Sequence, residues 1–281
     1  MALAKTLSDR MKEYESNTQN KLIKKMPVII RLDGRSFSKF TKGFDKPFDV
    51  DLSEIFQKVA LELRKEIENA KFIYSQSDEI SILLTDWDKT KEDDGGRIDT
   101  WYDYRIQKIV SVSSAIATAK FNEYLYELEQ YYENLSKDED LKVVNGNIVA
   151  IDTDYCKERY KLLKRKLFKA TFDARVFNIP QDEVVNYFIY RQQDAIRNSV
   201  SSFARKYYST KQLTGINNPT KIEMVKKDFG IDFNEDISQL QKVGFTIITN
   251  LKAKDTEKDK FELDINIPIF KDNREYIERY L

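Results

Sequence analysis

A chain of 281 residues with 41% hydrophobic and 33% charged side chains has apolar mass for one large domain with a buried core, and too much for disorder. Its 47 Lys+Arg balance 47 Asp+Glu, which argues against a histone-like basic binder and leaves a local basic face as the way to hold nucleic acid. No histidine and a single cysteine exclude Ser-His-Asp and Cys-His nucleophile systems, His-ligated zinc and an internal disulfide, so acid–base chemistry falls to carboxylates, lysine, tyrosine or metal-bound groups.

The N-terminal MALAKTLSDRMKEYE lacks the apolar centre of a signal peptide, and no apolar run of about 18 residues follows anywhere. The expectation is a soluble, cytoplasmic protein with no membrane partner. Residues 8–24 read as a charged amphipathic helix. MPVIIRLDG (26–34) reads as a buried strand that ends abruptly in a polar cluster and a glycine. In 49–70, Leu52, Ile55, Phe56, Val59, Leu63 and Ile67 recur at helical spacing, with Asp51 or Ser53 as the cap. Residues 71–87 read as two strands joined at Gln76-Ser77-Asp78-Glu79. A loop is expected over 90–97 and a helix with small residues at its middle over 100–125.

The charged stretch 126–169 reads as an insertion, with a hairpin around Asn145-Gly146 in 143–151 and then a basic helix, YCKERYKLLKRKLFKA. ATFDARVFNIP (170–180) is a strand, and Pro180 introduces a helix over 181–208. Two or three helices and the strand GFTIITN complete the chain. The order strand, helix, hairpin, helix, strand is a βαββαβ plan, an α+β fold with a ferredoxin-like antiparallel sheet and helices on one face, plus helical accessory elements. The expected organisation is a single catalytic domain over 1–281. Its core lies at about 26–125 and 170–208, 126–169 is inserted, and 209–281 is accessory.

In that plan Asp33, at the end of the first strand, and Asp78 and Glu79, at the hairpin tip, lie on adjacent central strands. Two aspartates there suit a pair of Mg²⁺ ions about 3.5–4 Å apart, the clamp used in phosphoryl and nucleotidyl transfer. Magnesium takes a few carboxylates with phosphates and water, and the Gly34 carbonyl is an extra candidate ligand. Leu-Asp-Gly and Ser-Asp-Glu taken singly are also ordinary turns; their joint position at one sheet edge favours the metal site. Arg35, Ser36, Phe37 and Ser38 supply successive backbone N–H groups for a phosphate. Lys46 and Asp49 are candidates for a phosphate contact and a base or ribose contact, or else solvated loop charges. Arg105 and Lys108 stand at i and i+3, a pair for a triphosphate or an RNA 5′ phosphate if not simply a surface pair. Arg191, Asp194 and Asn198 form a polar stripe on the 181–208 helix with Arg197 beside it, opposite Val184, Phe188, Ile189, Ile196, Val200 and Phe203. The run YKLLKRKLFK (160–169) interleaves basic and aromatic residues, a pattern suited to RNA.

RLDGRSFSKFTKGFDKPFD (31–49), YSQSDEISILL (74–84), ATFDARVFNIP (170–180), NYFIYRQQDAIRNSVSSFA (186–204) and IPIFKDNREYIERYL (267–281) resemble the tRNA-His guanylyltransferase superfamily. The resemblance is strongest to its bacterial, archaeal and phage branch, the guanylyltransferase-like 3′→5′ polymerases. It spans nearly the whole chain, and 126–169 is the clearest departure. It implies a polymerase-like palm related to nucleotidyl cyclases, and commonly a homotetramer sharing one tRNA between subunits. It implies that Asp33, the Gly34 carbonyl and Asp78 hold the two Mg²⁺ ions, with Glu79 beside them. It also implies that Arg35–Ser38 and Lys46 contact the triphosphate of an activating ATP or GTP, with Asp49 near its base. Ser77, Arg105, Lys108 and Arg175 form the second nucleotide set, and Arg191, Arg197 and Asn198 are the tRNA candidates. Eukaryotic members carry HINNLYN where this chain has Ile196-Arg197-Asn198-Ser199-Val200-Ser201-Ser202. The histidine tied to tRNA-His selection is therefore Ile196 here, which implies templated repair of truncated tRNA 5′ ends rather than guanylate addition to tRNA-His. The other readings are a nucleotidyl cyclase, whose Gly-Gly-Asp-Glu tip is absent before Asp78, and a non-catalytic tRNA-binding protein.

Overall fold

Almost every position of the central strands is buried, so their apolar runs are continuous instead of alternating. A computed structural model describes residues 5–87, 99–137, 141–144, 147–150, 152–249 and 261–281. Helix α1 (Leu7–Ser16) is held by a capping box between Thr6 and Asp9 and buries nothing. The expected helix over 8–24 therefore stops early, at Ser16, and Leu22 beyond it packs against the main core. Strand β1 (Val28–Gly34) leads into a single helical turn, α2 (Phe37–Phe40), and then α3 (Val50–Glu66). Asp49, not Asp51 or Ser53, caps α3 by accepting from the Leu52 amide. Strands β2 (Ala70–Gln76) and β3 (Glu79–Leu84) form the expected hairpin.

Residues 101–104 make a short 3₁₀ turn with Tyr102 and Asp103 in left-handed backbone, so α4 begins only at Ile106, and it runs to Leu135. The palm helix thus continues ten residues into the expected insertion. A two-stranded hairpin, β4 (Leu141–Val144) with β5 (Asn147–Ala150), precedes α5 (Thr153–Lys166). Its Asn145-Gly146 turn and the loop 90–97 lie outside the described residues. Cys156 and Leu163 of α5 enter the main core, so this stretch packs on the palm and not beside it. Strand β6 (Phe172–Asn178) and α6 (Val184–Arg205) follow, then α7 (Thr210–Leu213), α8 (Asn218–Phe229), α9 (Phe233–Asp236) and α10 (Gln239–Val243). Strands β7 (Phe245–Thr249) and β8 (Phe261–Asp264) and a last turn, α11 (Glu275–Glu278), end the chain.

The six-stranded sheet runs β6-β1-β3-β2-β7-β8, every neighbour antiparallel. Its first four strands are the ferredoxin-like order. GFTIITN is no accessory strand: β7 pairs with β2, and Phe245 and Ile247 join the main core. Successive strand residues point to opposite faces. Val28, Ile30 and Leu32 meet α3 and α4 in one core, while Ile29, Phe72, Tyr74 and Leu83 meet α6 and the segment 267–281 in a second. The two palm helices α3 and α4 share one face as expected, and the opposite face is covered as well. The second set of strand side chains is apolar too, and α6 with the C-terminal segment keeps it from water.

Candidate active site

Register brings the acidic motifs together. Antiparallel pairing sets Asp33 opposite Glu79, and the two-residue turn Ser77-Asp78 closes the hairpin with Ser77 at φ 52°. The Gly34 amide donates to the Asp78 carbonyl at 3.0 Å, which ties the end of β1 to the tip. Asp33 and Asp78 are half-buried, and among the described residues neither carries an ion pair. Burial pushes the Asp78 carboxyl above the usual range, and the charge of Asp33 adds to it. Its own backbone N–H and the Ser77 hydroxyl, at 3.1 Å, pull the other way. Two crowded carboxylates without a counter-charge suit a hard divalent cation. Among the described residues no group of three or more His, Cys, Asp or Glu forms such a site, so water, phosphate and the Gly34 carbonyl would complete it. Glycine at 34 has a packing reason as well: a Cβ there would lie 2.3 Å from the Phe37 ring.

The cradle after Gly34 is tethered at its start, where the Arg35 amide donates to the Thr171 carbonyl at 2.9 Å. Ser36 is exposed and left-handed (φ 57°), and the first amides of α2 have no carbonyl within their own helix. The Phe37 side chain takes no part. It sits against Phe40, Phe56, Phe121 and Phe172 with ring centroids 4.9 to 5.8 Å apart, leaving only its main chain for a ligand. Ser38 and Lys46 are exposed.

The structure gives Asp49 a different task from the one expected. Its carboxylate is 4% exposed, caps α3 and meets Arg159 Nη2 at 2.6 Å. The same nitrogen meets Asp51 at 2.8 Å, and the Arg159 guanidinium lies over the Phe44 ring. The 44–51 loop, with Lys46 on it, is thus pinned by α5.

Arg191, expected on a polar stripe as a tRNA contact, is buried. Its Nε and Nη2 each lie 2.6 Å from a carboxylate oxygen of Glu79, and Arg31 Nη2 reaches the same carboxylate at 2.5 Å. Glu79 and Arg191 are 5% exposed, since α6 crosses the sheet face that carries Glu79. Glu79 thus spends its charge on two guanidinium groups, unlike its neighbours Asp33 and Asp78. Arg197 and Asn198 do face solvent, Arg197 bonded to Asp194 at 2.8 Å. Arg175 is exposed on the β6 edge opposite Arg31, and Asp173 faces Asp33 in the same ladder.

Arg105 and Lys108 stand apart from the rest. Arg105 is the residue before α4, not on a shared helix face with Lys108, and its Nε bonds to the Tyr102 carbonyl. That end of α4 joins Asn20 and Leu22, beside Ile23, which bonds to Asn178 opposite Val28. It is the far end of β1, about 17 Å along the strand from Asp33 at about 3.3 Å per residue.

Sequence reasoning passed over Arg31, Asp173 and Arg159. The first two had a signal, since Arg31 lies two residues before Asp33 and Asp173 two before Arg175, on one strand face each. Arg159 had none beyond its place in a basic helix.

A ferredoxin-like palm with aspartates at the end of β1 and at the β2–β3 tip defines the class of palm nucleotidyltransferases. The chain belongs to the tRNA-His guanylyltransferase family, whose model matches residues 8–180. It is similar to a bacterial tRNA(His) guanylyltransferase-like protein solved in complex with ATP, at a TM-score of 0.75 and 37% identity over 98% of both chains. A complex of such a protein with GTP matches at 0.66 and 34%, covering 98% of this chain and 99% of that one. The tRNA(His) guanylyltransferase of Debaryomyces hansenii is 24% identical over 88% of this chain and 81% of its own length.

Proposed function

We propose that this nucleotidyltransferase extends the 5′ end of tRNA in the 3′→5′ direction, choosing each nucleotide by pairing with the opposite strand, and so repairs truncated 5′ ends. The observation that carries the reading is the uncompensated Asp33/Asp78 pair beside the Arg35–Ser38 cradle, in a chain whose solved relatives hold ATP and GTP. A second observation favours repair over guanylate addition to tRNA-His. Ile196, where eukaryotic members use histidine, is half-buried and packs against the second core, so it offers no polar contact to an anticodon.

In the first step an oxygen of the tRNA 5′-monophosphate attacks the α-phosphorus of ATP or GTP. A phosphoanhydride forms and pyrophosphate leaves. The 3′-hydroxyl of an incoming NTP then attacks the 5′ phosphorus of the tRNA, a phosphodiester forms, and AMP (or GMP) leaves. Asp33, Asp78 and the Gly34 carbonyl would hold Mg²⁺, which supplies charge neutralisation on the phosphates when bound. The amides of Ser36–Ser38 and the Lys46 ammonium orient the activating triphosphate, and Arg175 and Ser77 face the second nucleotide. Glu79 sets the arginines that flank the carboxylates. Arg105 and Lys108, at the far end of the sheet, would reach substrate from a neighbouring copy, in keeping with a homotetramer acting in the cytoplasm; sedimentation tests that assembly.

The test supplies a 5′-monophosphorylated tRNA lacking its first nucleotide, with ATP, Mg²⁺ and each labelled NTP. Extension should follow the opposing base, and Asp33→Ala and Asp78→Ala should each abolish it. Extension independent of the opposing base sinks templated repair. A cyclic product from ATP or GTP without RNA points to a cyclase, and a role that survives both substitutions points to a binding scaffold.

A further inference from the structure

Beside the phosphate cradle lies a groove of about 760 Å³ between the middle of α4 and the approach to β6, lined by Thr118, Asn122, Tyr126, Phe168, Thr171 and Phe172. Two large aromatics stand open to solvent at its mouth: Phe168 is 71% exposed and Tyr126 45%. Their rings lie 6.3 Å apart and only 27° from parallel. Phe168 holds left-handed backbone (φ 57°), a costly conformation for a bulky residue, and it aims the ring outward where no core contact repays it. At the floor, Asn122 is 8% exposed. Its amide nitrogen donates to the Thr118 and Ala170 carbonyls at 2.7 and 2.9 Å, which leaves Oδ1 as a buried acceptor with no donor among the described residues.

The surroundings are cationic. Lys166 Nζ lies 3.4 Å from the Lys39 carbonyl, and its ammonium is held below the usual lysine range by burial first and then by Lys169 and Lys42. Among the described residues none of Lys39, Lys42, Lys166 and Lys169 is ion-paired with a carboxylate. Among the described residues the one acid on the groove wall, Glu123, is already paired with Lys120 at 2.8 Å. Unpaired lysines crowded beside exposed stacked rings match the two halves of a nucleotide: phosphate on the cations, base on the aromatic face.

We propose that this groove is a single-stranded RNA subsite, in which a base stacks on Phe168 and Tyr126 while its phosphates run along Lys39, Lys42, Lys166 and Lys169. An exocyclic amino group on the seated base is the donor that Asn122 Oδ1 lacks. The Thr171 carbonyl on the groove wall holds the Arg35 amide, so a strand lying here leads directly to the cradle and the carboxylates. The inference deepens the tRNA reading and rests on it.

Anisotropy titrations of the full chain against a labelled single-stranded oligoribonucleotide and a blunt duplex of equal length test it. Phe168→Ala and Tyr126→Ala are exposed positions that leave the core intact. Each should weaken single-strand binding about five- to hundredfold and duplex binding far less. Phe168→Trp should restore it. Lys42→Ala and Lys169→Ala should each lower the slope of log affinity against log salt by about 0.7. Single-strand affinity unchanged in Phe168→Ala, with 5′ extension intact in the wild type, overturns the subsite alone. Dissociation of subunits by Phe168→Ala overturns it in favour of a protein interface. A wild-type chain that binds neither RNA overturns the subsite together with the tRNA reading.

Discussion

Replacing Arg191 by methionine separates a structural ion pair from a tRNA contact. The Glu79 carboxylate is 7% exposed at its side chain and receives Arg191 at 2.6 Å on both oxygens. Removing one partner of a buried pair costs about 3–5 kcal/mol when the remaining charge is left bare. Glu79 is not left bare, because Arg31 also bonds to it from a side chain 24% exposed. The expected cost is therefore the lower limit, about 3 kcal/mol, or about 6–12 °C in Tm for a chain of this size. Calorimetric melts of the wild type, Arg191→Met, Glu79→Met and the double variant measure it. The double variant should lose less than the sum of the singles, since the surviving Arg31 can turn to water. An Arg191→Met chain that melts within about 2 °C of the wild type but binds tRNA tenfold more weakly would refute the pairing argument. It would restore Arg191 to the nucleic-acid surface.

Arg159→Leu should cost about 3–5 kcal/mol, because the 4%-exposed Asp49 loses its cation. It should also raise KM for the activating nucleotide, read in pyrophosphate release, since the Lys46 loop loses its anchor; Arg159→Lys should recover part of both. Gly34→Ala forces a Cβ to within 2.3 Å of a Phe37 ring that four other phenyl rings hold in place. A loss of about 1–3 kcal/mol is expected, with nucleotide addition abolished as the strand end shifts, and Phe37→Leu in the same chain should return stability. Asp78→Asn should melt higher than the wild type in EDTA at pH 7. A carboxyl whose folded-state pKa is raised costs stability as pH climbs through that value, and the amide removes the cost. Added Mg²⁺ should stabilise the wild type and not the variant; an Asp78→Asn chain that melts lower in EDTA contradicts the crowded-carboxylate argument.

Local patterns carried the palm because each depends on residues close in sequence. VIIRLDG and EISILL are apolar runs ended by turn-formers, and the two-residue tip needs only Ser77 in left-handed backbone. What escaped depends on distance along the chain. Arg191 is 112 residues from Glu79 and Arg159 is 110 from Asp49, so the helical face of each reads as solvated until a strand or a helix cap distant in sequence supplies the acid. The remote position of Arg105 and Lys108 has a different cause. They follow the hairpin in sequence, but β3 carries the chain away from its own tip, and α4 must start at the far end to cross back. A residue soon after Glu79 in sequence is therefore remote from it in space.

The contrast between Glu79 and its two neighbours follows from the same geometry. Asp33, Glu79 and Asp173 line up across three strands on the face that α6 covers, and nothing in their local motifs distinguishes them. Their fates differ because α6 crosses over Glu79 and places Arg191 there, whereas Asp173 stays exposed on the β6 edge. A covered carboxylate must be paired, since desolvation of a bare charge costs more than one helix contact returns. An edge carboxylate has no such need. The charge left free for a cation is therefore set by where one helix crosses the sheet, and moving Arg191 out of that crossing should move a stabilising cation site toward Glu79. Magnesium titration of Arg191→Met tests this: its Tm should rise more with Mg²⁺ than that of the wild type, and an equal rise would show that Glu79 remains neutralised by Arg31 alone.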